Sequence, residues 1–239
     1  METIDKPEIT GEGIDDVEKK TVIPNNQERN IFYNALTSYA FETRVNAGIE
    51  RVRLLQAESG FSIIGNGQEI VYTPLELGGR HPNEGTYLFD RSVGMEASTN
   101  TGLSEIIEYE RNEYDHKPDL KYSILATFHF HPRSSPFSSG DIEYYDQLND
   151  GTLYDFSPHK DMFFGVFMPQ FKGLSIPVVK LFMFGGLSVT NYYQAENFSR
   201  LPLKLQTEVL KKSGFKVILV NLPVKKGHVK KDPLAKLLQ

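Results

Sequence analysis

Two histidines two residues apart, in Phe128-His129-Phe130-His131-Pro132, and an aspartate ten residues further on, Asp141, make a donor set for a divalent metal ion. On a strand, residues i and i+2 project to the same side about 7 Å apart. Two imidazole nitrogens can then converge on one ion at about 2 Å each. Two imidazoles and a carboxylate suit Zn²⁺ with one position left open, and an open site does chemistry rather than holding a fold together. A bare His-x-His pair is more often two ordinary hydrogen-bonded histidines, so Asp141 decides the balance. It also fits a competing description, because Ser138-x-x-Asp141 ahead of Ile142 has the spacing of a helix N-terminal capping box. The two descriptions are compatible. A carboxylate fixed in the first turn of a helix, after a strand broken by Pro132, is placed to complete a three-ligand site.

Hydrolysis at such a centre needs a carboxylate near the metal but not on it, to take a proton from water and deliver one to the leaving group. Glu42, Glu50, Glu58, Glu69 and Glu76 qualify by position. Glu58 has the best setting, since it directly precedes the apolar run Gly60-Phe61-Ser62-Ile63-Ile64-Gly65, which a sheet could lay beside the histidine strand. The competing description is an exposed glutamate at a helix end.

The elements that must position these side chains follow from the hydrophobic period. Residues 1–27 are polar and acidic and read as a solvated, flexible lead-in. Ile31, Phe32, Ala35, Leu36, Tyr39 and Ala40 recur at helical spacing, and the pattern continues to Leu55, with Gly48 as a point where it can break. Two strands flank Gly65-Asn66-Gly67 as a hairpin. Residues 73–87 read as loop and 103–114 as a short helix, within an insert spanning about 78–119. Tyr122 to His131 is a strand, with Ile124, Ala126, Phe128 and Phe130 expected on one side and Leu125, Thr127, His129 and His131 on the other. Asp141 to Leu148 is a helix, Phe163–Met168 and Val178–Phe184 are strands, and Leu203–Lys212 is a helix closed at Gly214. Phe215–Leu222 is a last strand, and 223–239 reads as an exposed basic tail. The order predicts an α/β domain over 28–222, a sandwich with a mixed sheet.

Glu58-x-Gly60 opening a strand that ends at Gly65, then His129-x-His131-Pro132, then Ser138-x-x-Asp141, resembles the JAMM (JAB, MPN+) metalloprotease family, over a little more than a third of the chain. The resemblance implies a JAB/MPN-like, cytidine-deaminase-like fold, an α-β-α sandwich with a mixed, largely antiparallel sheet, and a zinc isopeptidase or peptidase. It implies one Zn²⁺ held by His129, His131 and Asp141, Glu58 as general acid/base, and Ser138 donating to the oxyanion that forms on the scissile carbonyl. Its implied substrate is a protein, such as a ubiquitin-like protein or its conjugate. The six residues from Pro132 to Phe137 make the loop one residue shorter than the family's usual spacing. Choosing Ser139 restores that spacing but loses Ser-x-x-Asp, and helix geometry favours Ser138. Two other readings stand beside it: a non-catalytic binding module on the same fold, and a RadC-like, DNA-repair-associated protein with a similar His-x-His-Pro arrangement.

Composition narrows the rest. The 239 residues are enough to bury a sizeable core, and a net charge of −5 with no basic stripe argues against nucleic acid as a partner. The absence of cysteine excludes disulfides, thiolate catalysis and thiolate-bound zinc. No apolar run reaches the roughly 18 residues a membrane span needs, and the start METIDKPEIT lacks a secretory pattern, so a cytoplasmic protein is expected. His81, His116, His159 and His228 read as solvated histidines in loops or tails and are assigned no metal role.

Overall fold

The computed structural model describes residues 21–22, 31–55, 58–65, 69–73, 75–77, 123–132, 134–149, 158–186 and 195–238. The helix expected over 103–114 and the insert over 78–119 lie outside these residues, as does the lead-in 1–27 apart from Thr21–Val22. That dipeptide forms a strand, β1, paired antiparallel with Glu69 and Ile70.

Helix α1 (Ile31–Thr37) and helix α2 (Tyr39–Leu55) are separated at Ser38, not at Gly48. The Ser38 hydroxyl accepts the Phe41 N–H at 3.0 Å, an N-cap for α2, and sits 2.7 Å from the Tyr72 hydroxyl. Gly48 keeps the helix continuous because its role is spatial. The Phe130 ring lies where a β-carbon would project.

Strands β2 (Ser59–Gly65) and β3 (Glu69–Tyr72) form the expected antiparallel pair. The loop read over 73–87 contains a further strand, β4 (Glu76–Leu77), which pairs with Ser59 and Gly60. Then follow β5 (Ser123–Phe130), α3 (Ser139–Asn149), the long hairpin β6 (Pro158–Lys172) and β7 (Ser175–Gly185), α4 (Ala195–Ser199), α5 (Leu203–Lys212), β8 (Lys216–Lys225), β9 (His228–Val229) and α6 (Asp232–Leu238). The sheet runs β1-β3-β2-β5-β6-β7-β8-β9, with β4 beside β2. Among the described residues only the β5–β6 pair is parallel, and α3 lies in the crossover that returns the chain to the same end of the sheet. His159 and His228 thus fall in strands rather than loops.

Two cores lie on opposite faces. Phe41, Val45, Ile49 and Val52 of α2 pack with Phe61, Phe128, Phe130, Phe167, Leu234 and Leu238 on one face; Ile142, Tyr145, Leu148, Phe164, Phe182, Phe184, Leu210 and Phe215 pack on the other. The chain is therefore a mixed α/β fold with helices on both faces of one sheet.

Two expectations are corrected. In β5, Ile63 pairs with Ala126 while Ile64 pairs with Ile124, so Leu125 is an extra residue in the strand. The bulge turns Ile124 to the α3 face and Leu125 to the α2 face, the reverse of a simple alternation. The strand from Ala126 to the histidines keeps the expected faces. The segment 223–238 is not a free tail. It finishes β8, turns at Lys226-Gly227 in the left-handed region (φ 53° and 77°), and ends in α6 with Val229, Leu234 and Leu238 buried. Of the lysines that suggested a solvated end, Lys226 and Lys230 are exposed and Lys231 pairs with Glu42 of α2, while the three buried apolar residues close the α2 face. No helix among the described residues is long and apolar enough to cross a membrane.

Candidate metal centre

The histidine strand is held in register on both sides. On one side Gly60 pairs with His129 and Ser59 with Phe130. On the other, Val166 pairs with His129, and the His131 N–H donates to the Phe167 carbonyl at 3.0 Å. Phe130 points away from the histidines, into the α2 core, and stacks on Phe167 with ring centroids 4.6 Å apart. Between the two histidines it therefore acts as a peg that fixes the strand's pleat. Gly60 faces the same side as His129 and presents no side chain beside it.

After Pro132 the chain turns back over the strand end. Phe137 is buried among Phe164, Phe182 and Phe184, with the His129 ring 6.2 Å from its own. Ser134 donates to the Pro169 carbonyl at 2.9 Å, which ties the loop to the extension of β6. Helix α3 then starts with the predicted capping box. The Asp141 N–H donates to Ser138 Oγ at 3.2 Å, and the Ser138 N–H donates to Asp141 Oδ2 at 2.6 Å.

The cap aims the carboxylate at the histidines. Asp141 Oδ1 lies 3.1 Å from His129 Nε2, Oδ2 lies 3.5 Å from His131 Nε2, and the two Nε2 atoms are 2.8 Å apart. The His129 side chain has no exposure and that of His131 has 5 %, against 13 % for Asp141. One donor atom from each of the three residues lies within 4.8 Å of the others, a group that could hold a metal ion. The carboxylate that caps the helix is the one in this donor group.

The donor set passes a chemical test of fit. His131 Nδ1 faces the Ser135 carbonyl at 2.8 Å. A carbonyl only accepts, so Nδ1 carries a proton, and once Nε2 loses its own the ring turns that lone pair into the cluster, the outer-shell arrangement typical of ligating histidines. Ser135 was not read from the sequence; its offset of four from His131 inside a short loop is the only trace it leaves. His129 Nδ1 is buried without a hydrogen-bond partner among the described residues.

Electrostatics show how strongly these groups depend on one another. Burial pushes the His131 pKa down, but the Asp141 hydrogen bond and charge, the Glu58 carboxylate and the Ser135 carbonyl outweigh it and raise it to about 9. Burial pushes Asp141 up, and the two imidazoles overcome that and hold it well below the usual carboxylate range. Each partner keeps the other charged, and a divalent cation would replace the imidazolium proton in that role.

Glu58 stands beside the donor group. It precedes β2, on the same side as Gly60, and its Oε1 is 3.9 Å from His131 Nε2, close to the donor group but not part of it. Of the other glutamates considered, Glu50 is engaged with Arg53 on the exposed side of α2 and Glu42 pairs with Lys231 at 3.3 Å. Ser138, whose Oγ accepts from Asp141, is exposed with its hydroxyl proton not used in that contact. Ser139 makes no such exchange with Asp141. The five residues singled out from the sequence are thus brought to one end of β5.

No protein-family model, curated protein or solved structure matches the chain.

Proposed function

We propose that the chain is a zinc-dependent hydrolase of peptide or isopeptide bonds, with a JAB/MPN-type fold, one Zn²⁺ per chain, and a protein substrate such as the C-terminal tail of a ubiquitin-like protein. The observation that carries this reading is the convergence of His129, His131 and Asp141, from a strand and a helix start, with Glu58 beside them. Two imidazoles and one carboxylate make the three-ligand set of a catalytic zinc site, in which the fourth position is kept for water or substrate. When bound, the ion supplies Lewis acidity toward a carbonyl and lowers the pKa of a coordinated water. The protein's own groups do the rest. Glu58 accepts the proton from the attacking water and passes it to the leaving amine. Ser138 Oγ–H donates to the oxyanion as the scissile carbonyl becomes tetrahedral. Asp141 keeps its orientation through the Ser138 N–H, and His131 through the Ser135 carbonyl. Strand β4 supports a mode of substrate entry. It lies next to Gly60 and pairs with β2 alone among the described residues, so its other edge can take an extended chain by strand addition.

The test is metal analysis together with hydrolysis of a fluorogenic amide on a ubiquitin-like tail. Glu58→Gln should keep stoichiometric zinc and lose cleavage, and His129→Ala should lose both. A wild-type chain that binds no zinc, or a Glu58→Gln chain that still cleaves, overturns the reading. Zinc binding without hydrolysis of any tail tested would favour a binding module on the same scaffold.

A further inference from the structure

We infer that Gln206, on α5, is a positioning residue for this centre, and this rests on the metal-site reading just given. Gln206 is fully buried. Its Nε2 donates to the Phe137 carbonyl at 3.1 Å and to the Phe198 carbonyl at 3.2 Å. Both neighbours are acceptors, which fixes the orientation of the carboxamide; reversed, its oxygen would face two carbonyl oxygens. Its Oε1 has no partner among the described residues. The side chain is therefore held for its two N–H donors, at the cost of leaving a buried oxygen unsatisfied.

The Phe137 carbonyl belongs to the same peptide group as the Ser138 N–H, which donates to Asp141 Oδ2 at 2.6 Å. Gln206, the 137–138 peptide and Asp141 thus form one line of hydrogen bonds ending on a proposed metal ligand. A peptide group is planar, so a donor fixed on its oxygen fixes the direction of its N–H. Donation to the carbonyl also polarises the peptide and strengthens that N–H as a donor. Gln206 in this way sets both the direction and the strength of the bond that orients Asp141, and it fixes the Ser138 Cα, which lies in the same plane. Because it also holds the last residues of α4 through Phe198, the aspartate's position depends on the packing of α4 and α5, far from it in sequence. The sequence carried one hint, a glutamine inside the apolar spacing Leu203, Gln206, Leu210 of an otherwise amphipathic helix.

The experiment compares the wild type with Gln206→Met, which fills a similar volume without the donors. One arm is the amide spectrum of the metal-free protein. The Ser138 N–H resonance should move upfield in Gln206→Met as its bond to Asp141 lengthens. The second arm is Zn²⁺ affinity by competition with a chelator, expected to fall about tenfold, as for other outer-shell partners. Loss of stability alone would move neither. An unshifted Ser138 resonance together with affinity within twofold of wild type overturns the inference. A wild type that binds no zinc refutes the metal reading, while the spectral arm still decides the role of Gln206. If Gln206→Met does not fold, the line is read from its other end. Asp141→Asn should shift the Gln206 side-chain amide resonances, and their standing still overturns the inference.

Discussion

Gly48 and Phe130 occupy one another's space: a β-carbon on Gly48 would overlap Cε2 and Cζ of the Phe130 ring. The ring cannot yield easily, because it is stacked on Phe167 and tilted against Phe61, with centroids 4.6 Å and 6.4 Å away. Helix α2 is thereby brought close to β5 at the residue that separates the two candidate ligands. Through that ring the helix sets the strand that carries the imidazoles.

Gly48→Ala is therefore expected to destabilise. Alanine gains about 1 kcal/mol over glycine in a helix interior, but forcing a methyl into a filled core costs about 1–3 kcal/mol. The net loss should appear as an earlier denaturant midpoint with an unchanged slope. Since Phe130 is flanked by His129 and His131, zinc affinity should fall as well. A more stable Gly48→Ala protein would contradict the tight contact.

Ser138→Ala separates the two roles of that hydroxyl. Losing the cap should cost about 1 kcal/mol of stability, while the Ser138 N–H still reaches Asp141 and zinc affinity holds. Losing a donor to the oxyanion should lower kcat by about 10²–10³ with little change in KM. Ser139→Ala, one residue on, should stay near wild type in both. Steady-state kinetics on the fluorogenic tail substrate read the difference, and equal effects at the two positions would remove Ser138 from the mechanism.

Much of this site was legible because its residues obey local rules. His129 and His131 share a side through the two-residue period of a strand, and Ser138 and Asp141 meet through the geometry of a helix start. What was hidden depends on contacts distant in sequence. Leu125 becomes a bulge through its pairing with β2, which no alternation in β5 announces. Gly48 reads as a helix breaker until the ring against it is seen. The lysines of 225–231 concealed a segment whose few apolar residues, Val229, Leu234 and Leu238, fit a face of the sheet that α2 leaves open. Helix 103–114 and the insert around it lie outside the described residues.

That closing segment is open to test. Leu234 is fully buried in the α2-side core, so Leu234→Ala should cost about 2–5 kcal/mol. Lys230→Ala, at an exposed position on the same segment, should change stability by no more than about 0.5 kcal/mol. Denaturant titration of the two variants decides whether 223–238 belongs to the domain. A Leu234→Ala protein as stable as wild type would return the segment to the status of a tail.

The coupled charges of His131 and Asp141 give the metal-free protein a pH dependence that bound zinc would remove. In the metal-free protein the folded His131 pKa of about 9 lies above the ordinary value of 6.5, so its contribution is complete below about 6.5 and is lost as pH rises through 9. Asp141 is depressed below 3.8; its contribution is present above that value and is lost as pH falls through the folded pKa. Zinc requires the neutral imidazole, so protons compete with it, and the stabilisation it adds should grow between pH 6.5 and 9. Thermal melts with excess chelator should therefore show Tm declining over that interval. Melts with saturating Zn²⁺ should show the gap to the chelated protein widening by several degrees. A zinc-induced shift that is constant across this range would mean that His131 gives up no proton when the ion binds, and would remove it from the ligand set.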